Sequence, residues 1–525
     1  MRILYKCLNF SYSLLMMLVL ILCVFSASEI YACKRVFQYT NNVYITIGVI
    51  FILIALVTLC AFKKVQQSNF IRNMMIVGNG ALFIIISIFA YHYYFYTDWD
   101  VGFQIIPNAE VIACREYTKI DNYYFSLYPN NILLVFVFSI VIKLATILHI
   151  ENWYMGLIIL QCAIYGIVGW LIYRVADILF KDKCYVLLVW VLYLCLCGFS
   201  PWVVIPYSDS VGLLFPVMIL YLYLKYKQQS DLKARLKKIV ILTIVAYIGY
   251  KIKPQIGIIT IAIIIISYLE FLDLWWKKEK TRKNKDPQKL LELNLQTLGA
   301  VCIGIVIVNA MLVGICYISH IHVDKNLSFG ATHFIMMGLN EDTKGVYNQD
   351  DVNFSASFTT KEKRRNANFE AIGERLKTYG PKQTLELVRA KILTDYNDGS
   401  FAWGCEGKFF IEYFSHGNTE LRAIAESIYY PQGQFFNKFL SFVQMNWMSV
   451  LFLSLFVFIK REKTNVIWIM MLSVIGLTLF EILFEARARY LFTYVPIYIL
   501  LACLGLQSVI ENVKNLYRKL GLKNE

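Results

Sequence analysis

NILLVFVFSIVIKLATIL, residues 131–148, is apolar and close to the length that spans a bilayer, and whether it crosses decides where every later loop lies. A helix needs about 20 apolar residues to cover about 30 Å of hydrocarbon. Further blocks of this kind lie at 10–27, 44–62, 73–95, 153–174, 184–201, 209–225, 238–250, 255–272, 298–317, 444–460, 464–484 and 491–508. Inside a bilayer a backbone must satisfy its own hydrogen bonds, so such blocks form helices. The short basic start, Arg2 to Lys6, fits a signal peptide, but the spans that follow directly favour an uncleaved anchor.

Charge settles the path of 131–148. With the N-terminus inside, Lys63, Lys64 and Arg72 are inside too. If 131–148 crosses, then Arg174, Lys181 and Lys183, the Lys225–Lys238 cluster and the Lys277–Lys289 run all face out. If it lies on the outer face, all of them face in, together with Lys460, Arg461, Lys463 and the basic tail. Cytoplasmic loops carry the excess of Lys and Arg, which selects the second path. Lys143 within the block agrees, because a lysine at the interface can snorkel while one at mid-bilayer is costly. The expectation is an all-α polytopic membrane protein with about 12 transmembrane helices plus one outer-face interfacial helix.

Composition excludes the soluble classes. Of 525 residues, 58% are hydrophobic and 17% charged, against roughly a quarter charged in soluble domains. The net charge of +15 reflects topology-setting loops rather than nucleic-acid binding. The 13 cysteines lie mostly within apolar blocks; Cys33, Cys114 and Cys405 fall outside, with Cys114–Cys405 a candidate disulfide whose pairing sequence does not fix. Three regions result: 1–317, with a first outer loop at 96–130; 318–443, a mainly helical extracytoplasmic domain; and 444–525, transmembrane helices and a basic cytoplasmic tail. In the middle region Thr360 reads as a helix cap, Phe369, Ile372 and Leu376 as an apolar face, and Gly380-Pro381 as a break that opens another helix.

The polar residues gather at outer turns. Asp98 and Asp100 follow a span directly and suit a general base or a hard divalent cation, Mg²⁺, Mn²⁺ or Ca²⁺; alone they also fit a solvated loop start. Glu110, Glu116 and Tyr128-Pro129-Asn130 follow on the same loop. Asp209, in Pro206-Tyr207-Ser208-Asp209-Ser210, fits either a helix cap or a partner of the first two acids. Lys251 and Lys253 occupy a third outer turn, and Glu485-Ala486-Arg487-Ala488-Arg489-Tyr490 a fourth. Arginines at a membrane surface are often snorkelling anchors, yet they also hold phosphate bidentately. Carboxylates and cations on one membrane face are the equipment for an anionic lipid phosphate. No P-loop, Rossmann fingerprint, zinc motif or nucleophile elbow is present. His320 and His322 alone are weak as a metal pair.

With these residues in place, the chain resembles the GT-C superfamily, membrane glycosyltransferases that use polyprenyl-phosphate sugars, such as the protein O-mannosyltransferases and the lipid A aminoarabinose transferase. The matching positions are Asp98 and Asp100 after an early span, Tyr128-Pro129-Asn130 in the first loop, Asp209 two spans later, and Arg487 and Arg489-Tyr490. Met337-Gly338-Leu339-Asn340, Gly345-Val346-Tyr347-Asn348 and Asp398-Gly399 also look like bacterial cell-surface members. The resemblance implies Asp100 (or Asp98) as catalytic base, Asp209 with Asp98 at a Mg²⁺ or Mn²⁺ ion, and Arg487, Arg489, Lys251 and Lys253 on the lipid phosphate. Tyr128, Asn130, Tyr207 and Tyr490 would contact substrate. It further implies an inverting transfer from a polyprenyl-phosphate sugar to a glycopolymer or protein of the cell envelope, at the outer face of a bacterial plasma membrane. Two spans before residue 73 depart from the simplest family pattern. The rival readings are a polymerase or ligase of another membrane fold, and a lipid-linked sugar transporter or flippase.

Overall fold

The computed structural model describes residues 2–30, 35–94, 99–281, 287–403 and 419–520. Each apolar block is helical. The first three spans are α1 (Arg2–Phe25), α2 (Asn41–Ala61) and α3 (Ser68–Tyr93). The first loop carries α4 (Ile106–Ala113) and α5 (Asn122–Leu127) before α6 (Ile132–Ile147). Then come α7 (Trp153–Leu179), α8 (Lys183–Tyr193), α9 (Ser208–Gly212), α10 (Leu214–Lys227), α11 (Leu232–Ile252), α12 (Gly257–Thr281) and α13 (Pro287–Ile318). A cap of α14 (Ala331–Gly338), α15 (Gln349–Ala356), α16 (Lys361–Tyr396) and α17 (Thr419–Tyr429) precedes α18 (Phe436–Leu455), α19 (Asn465–Leu483), α20 (Ala488–Phe492) and α21 (Val495–Lys519). One small departure from an all-helical chain is a ribbon of two antiparallel strands, Ser28–Ile30 and Arg35–Phe37.

Among the described residues, 11 helices are long and apolar enough to cross a membrane. The Lys183–Gly198 segment is shorter, and α11 carries Lys233, Arg235, Lys237 and Lys238 in its first turns. Peripheral helices turn apolar side chains outward: Phe51, Ile54 and Val57 of α2 are all more than half exposed. That is sensible only where the surroundings are hydrocarbon. At the centre, α21 is buried without a break from Val495 to Leu506.

Hydrogen bonds between helix ends fix which loops share a face. Gln66, before α3, bonds Asp182, after α7, at 2.8 Å. At the other end Asn152, before α7, bonds the hydroxyl of Tyr94, after α3. The two helices are therefore antiparallel neighbours, with Tyr94 and Asn152 on one face. Tyr430 donates to the Tyr93 carbonyl and Tyr429 to the Phe199 carbonyl, which brings the far end of α8 to that face as well. Now α6 starts at Asn131, bonded to Tyr124, which is bonded to Asp100, and it ends just before Asn152. Both of its ends lie on the same face, so α6 lies along the bundle end as the lysine distribution required. Length and composition alone would have counted it as a span.

The cap is held by charged side chains saturating carbonyls. Thr360 caps α16 by accepting from the Lys363 amide at 3.4 Å. Gly380 sits at φ 61°, a conformation that favours glycine, and with Pro381 divides α16 in two. The expected apolar face is corrected: Phe369 is 56% and Leu376 43% exposed. Polar staples hold the helix instead. Buried Arg364 donates to the carbonyls of Ser355, Asn326, Ser328 and Phe358, and Arg375 grips both oxygens of Asp351. Cys114 is an exposed thiol; Cys33 and Cys405 lie outside the described residues.

Two outcomes follow. Cysteines placed at Asn130 and Glu151 should react with an impermeant thiol reagent from the same side of the membrane, and one at Lys181 only from the other; labelling of 130 and 151 from opposite sides would mean α6 crosses. Within the cap, His333 is fully buried beside Ser355 (2.7 Å), and burial pushes its pKa down to about 4. The unfolded chain therefore binds a proton near pH 6.5 that the folded chain refuses. Stability of the cap should fall as pH drops from 6.5 towards 4, a slope that thermal unfolding of His333→Leu should lack.

Candidate functional site

Four turns that are remote in sequence meet at the face just described. The centre is Asp209, fully buried. It does not cap its helix: α9 begins after Tyr207, in extended conformation, and no side chain caps it. One carboxylate oxygen instead meets the Lys253 ammonium and the other meets Arg489 Nη1 at 3.3 Å. Burial presses the Lys253 pKa down, and Asp209 partly restores it. Both cations also lie against aromatic rings. Lys253 is 4.4 Å from the centre of Tyr490, and Arg489 stands 4.4 Å over Trp99 and 5.4 Å over Tyr207. Cation–π contacts of this kind strengthen when desolvated.

Asp100 is the second acid. Its two oxygens accept from the Tyr124 and Tyr207 hydroxyls, each at 2.6 Å. Burial, then the Asp100 charge, pushes both phenols up, so they stay protonated and donate. A chain of amides extends the network: Asn130 donates to Asn131, and Asn131 to the Tyr124 hydroxyl. Tyr207 is the hinge of the arrangement, hydrogen-bonded to Asp100 and in contact with the Arg489 guanidinium. One cluster thus presents a carboxylate held by phenols beside a pair of buried cations.

The remaining expected residues divide. Arg487 Nε pairs with Glu485 at 2.7 Å and the guanidinium lies 5.8 Å over Tyr347. Tyr490 donates to the other Glu485 oxygen at 3.3 Å. Tyr128 packs against Tyr124 and Phe329. Lys251 does not join: still on α11, it lies 5.2 Å over Tyr247 of the preceding turn. Glu110 is exposed and Glu116 pairs with Lys119 at the surface. His320 stacks on Tyr117. Asp98 lies outside the described residues. The expected ligation of a divalent cation by Asp209 does not fit this donor set, because cations already occupy both oxygens. Among the described residues, the one group of three or more metal-type ligands lies elsewhere.

Tyr124, Trp99 and Glu485 were not legible as site residues. Tyr124 is one of 36 tyrosines and follows no spacing rule from Asp100. The glycine motifs of the cap acquire a role here. Lys391, almost fully buried, donates to the carbonyls of Gly338, Ile482 and Phe484. A Cβ on Gly338 would sit 2.4 Å from the Phe484 oxygen. Gly345, at φ 78°, accepts from the Ala486 amide at 2.9 Å. The cap is thereby sewn to the turn that carries Glu485, Arg487 and Arg489. Asp398-Gly399 is a packing turn: Asp398 binds Ser400 and Ala402, and Gly399 leaves no room for a side chain against Val443 and Trp447.

Removing one member of a buried charge group strands the others. Asp209→Ala should destabilise the protein by about 3–5 kcal/mol, read as a lowered unfolding midpoint in detergent. An unchanged midpoint would mean that Asp209 does not hold the turns together.

No curated protein and no solved structure matches this chain. The family described as "Conserved hypothetical integral membrane protein" matches residues 1–510. Nearly the whole length takes part in that match, and it agrees with the helices described above: the chain belongs to this family of integral membrane proteins.

Proposed function

We propose that the protein is a glycosyltransferase of the GT-C kind, moving a sugar from a polyprenyl-phosphate carrier to a hydroxyl acceptor of the cell envelope. The observation that carries this reading is the convergence of Asp100 with the Lys253–Asp209–Arg489 group through Tyr207. In the reaction the acceptor oxygen attacks the anomeric carbon from the face opposite the phosphate. The carbon–oxygen bond to phosphate breaks, and the lipid phosphate leaves with the bonding electrons. Asp100 accepts the proton of the acceptor hydroxyl, as a general base within hydrogen-bonding reach does. Arg489 and Lys253 offset in this reading the charge that builds on the leaving phosphate. Arg487 borders the same turn, held back by Glu485.

Asp209 acts in this reading by orienting the two cations, and no step is drawn through a metal ion. Tyr207 and Tyr490 flank the cations, while Tyr128 and Asn130 border the Asp100 network from the first loop. A cavity near the same face supports a place for the apolar part of a carrier lipid. Ile86, Phe89, Tyr93, Phe199, Val203 and Tyr429 line a cavity of about 200 Å³ whose wall is almost wholly apolar. On this reading the active face is the outer face of a bacterial plasma membrane, since the opposite face carries Lys63, Lys64, Lys181, Lys183 and the basic tail.

A transporter would use ionisable groups deep within the bundle. The observation on that side is Glu481, buried in α19 with neither oxygen hydrogen-bonded among the described residues. It belongs to the last turn of its helix, however, four residues from Glu485 and on the active face, rather than along a path through the membrane.

The direct test uses purified protein in vesicles that contain a polyprenyl-phosphate sugar, with release of the free lipid phosphate as the readout. Asp100→Asn should lower the rate by about 100-fold or more, the usual contribution of a general base, at unchanged expression and unfolding midpoint. Full activity in that variant would remove Asp100 as the base.

A further inference from the structure

On the face opposite the candidate active site, three side chains from two helices converge. Cys60 lies in the last turn of α2. Asp182 and Cys184 open α8. Their ligand atoms, two thiol sulfurs and a carboxylate oxygen, all lie within 4.8 Å of one another. We propose that Cys60, Asp182 and Cys184 form a zinc-binding site that clasps α2 to α8. The proposal is independent of the transferase reading, because it concerns the other end of the bundle.

The bland account of these residues is a helix cap, and it explains only part of the geometry. Asp182 does cap α8, accepting from the Cys184 amide at 2.9 Å, and the same oxygen accepts from Gln66 Nε2 at 2.8 Å. Cys60 belongs to a different helix, takes no part in capping and is exposed in the last turn of α2. Cys184 is fully buried and faces Gln66 at 3.3 Å. Zinc takes thiolate at about 2.3 Å and carboxylate at about 2.0–2.2 Å. A tetrahedral ion therefore separates its ligand atoms by about 3.3–3.8 Å, a small rotamer change from the observed spread. Two thiolates select a soft or borderline ion over Mg²⁺ or Ca²⁺. Water fills the fourth position.

The surroundings supply a charge argument. Lys63, Lys64, Lys181 and Lys183 flank the group in sequence, so a site of two thiolates, one carboxylate and one Zn²⁺, net −1, sits in a basic neighbourhood. Binding releases two thiol protons and joins the α2 end to the α8 start. The ends of α2 and α8 already pack against each other, with Gln66 bonded to Asp182 and Cys184 beside them. Zinc would thus add a covalent tie at one end of a helix already packed on α18 and α8.

The test titrates the full-length protein in detergent with Co²⁺ and Zn²⁺ alone. One equivalent of Co²⁺ should give a thiolate-to-metal charge-transfer band that Zn²⁺ abolishes, and Cys60→Ser and Cys184→Ser should each remove it. Asp182→Asn should weaken Zn²⁺ at least about tenfold, and Cys302→Ser should leave the band intact. Independently of any cysteine variant, Zn²⁺ should protect Cys60 of the unaltered protein from alkylation while Cys302 stays reactive. Absence of the band, its persistence in Cys60→Ser, or a Cys60–Cys184 disulfide in the freshly isolated protein would each overturn the proposal.

Discussion

A single buried carboxylate, Asp209, is claimed by two cations from different parts of the chain, Lys253 and Arg489. A buried charge is tolerated only when it is paired, so the turns before α9, between α11 and α12, and at α20 must arrive together or not at all. The aromatic rings of Trp99, Tyr207 and Tyr490 finish the desolvation of the cations and bring in the first loop. Through Tyr207 the constraint passes to Asp100. The order of dependence runs from the ion group outward to the acid, rather than the reverse.

The cap obeys the same economy of polar groups. Lys391 gives its three donors to three carbonyls that end α14 and α19, and such carbonyls at helix ends have no partner within their own helix. Gly338 is required because it approaches the Phe484 carbonyl too closely for a Cβ, and Gly345 because of its φ of 78° and the Gly338 oxygen 2.7 Å from where its Cβ would lie. The basic turn of the site is therefore pressed between the membrane bundle below and the cap above. This explains how two arginines can stay fixed at a surface where such side chains normally wander.

How much of this was legible depended on the kind of signal. Helix positions were, because apolar blocks of membrane length admit one backbone form. The path of α6 was as well, because lysines in short loops report sidedness. Shared location of Asp100, Asp209 and Arg489 followed from those two facts alone. Individual side-chain directions did not follow. Lys251 and Lys253 are two residues apart, yet α11 ends between them: Lys251 stays on the helix surface over Tyr247, while Lys253, extended at φ −151°, turns inward. Likewise Asp209 reads as an ideal cap, and only tertiary packing shows that two cations outbid the helix amides. Phe369 and Leu376 misled for the reverse reason, since periodic apolar residues matter little where arginine–carbonyl bonds hold the helix.

The recumbent α6 has a mechanical side. Val137, Ile140, Leu144 and Ile147 are exposed along it, so it immerses an apolar flank in one leaflet only. A rod about 10 Å wide and about 24 Å long displaces lipid there with no counterpart across the midplane. The helix therefore adds cross-section to the leaflet of the polar cluster alone, a load that the opposite leaflet does not share.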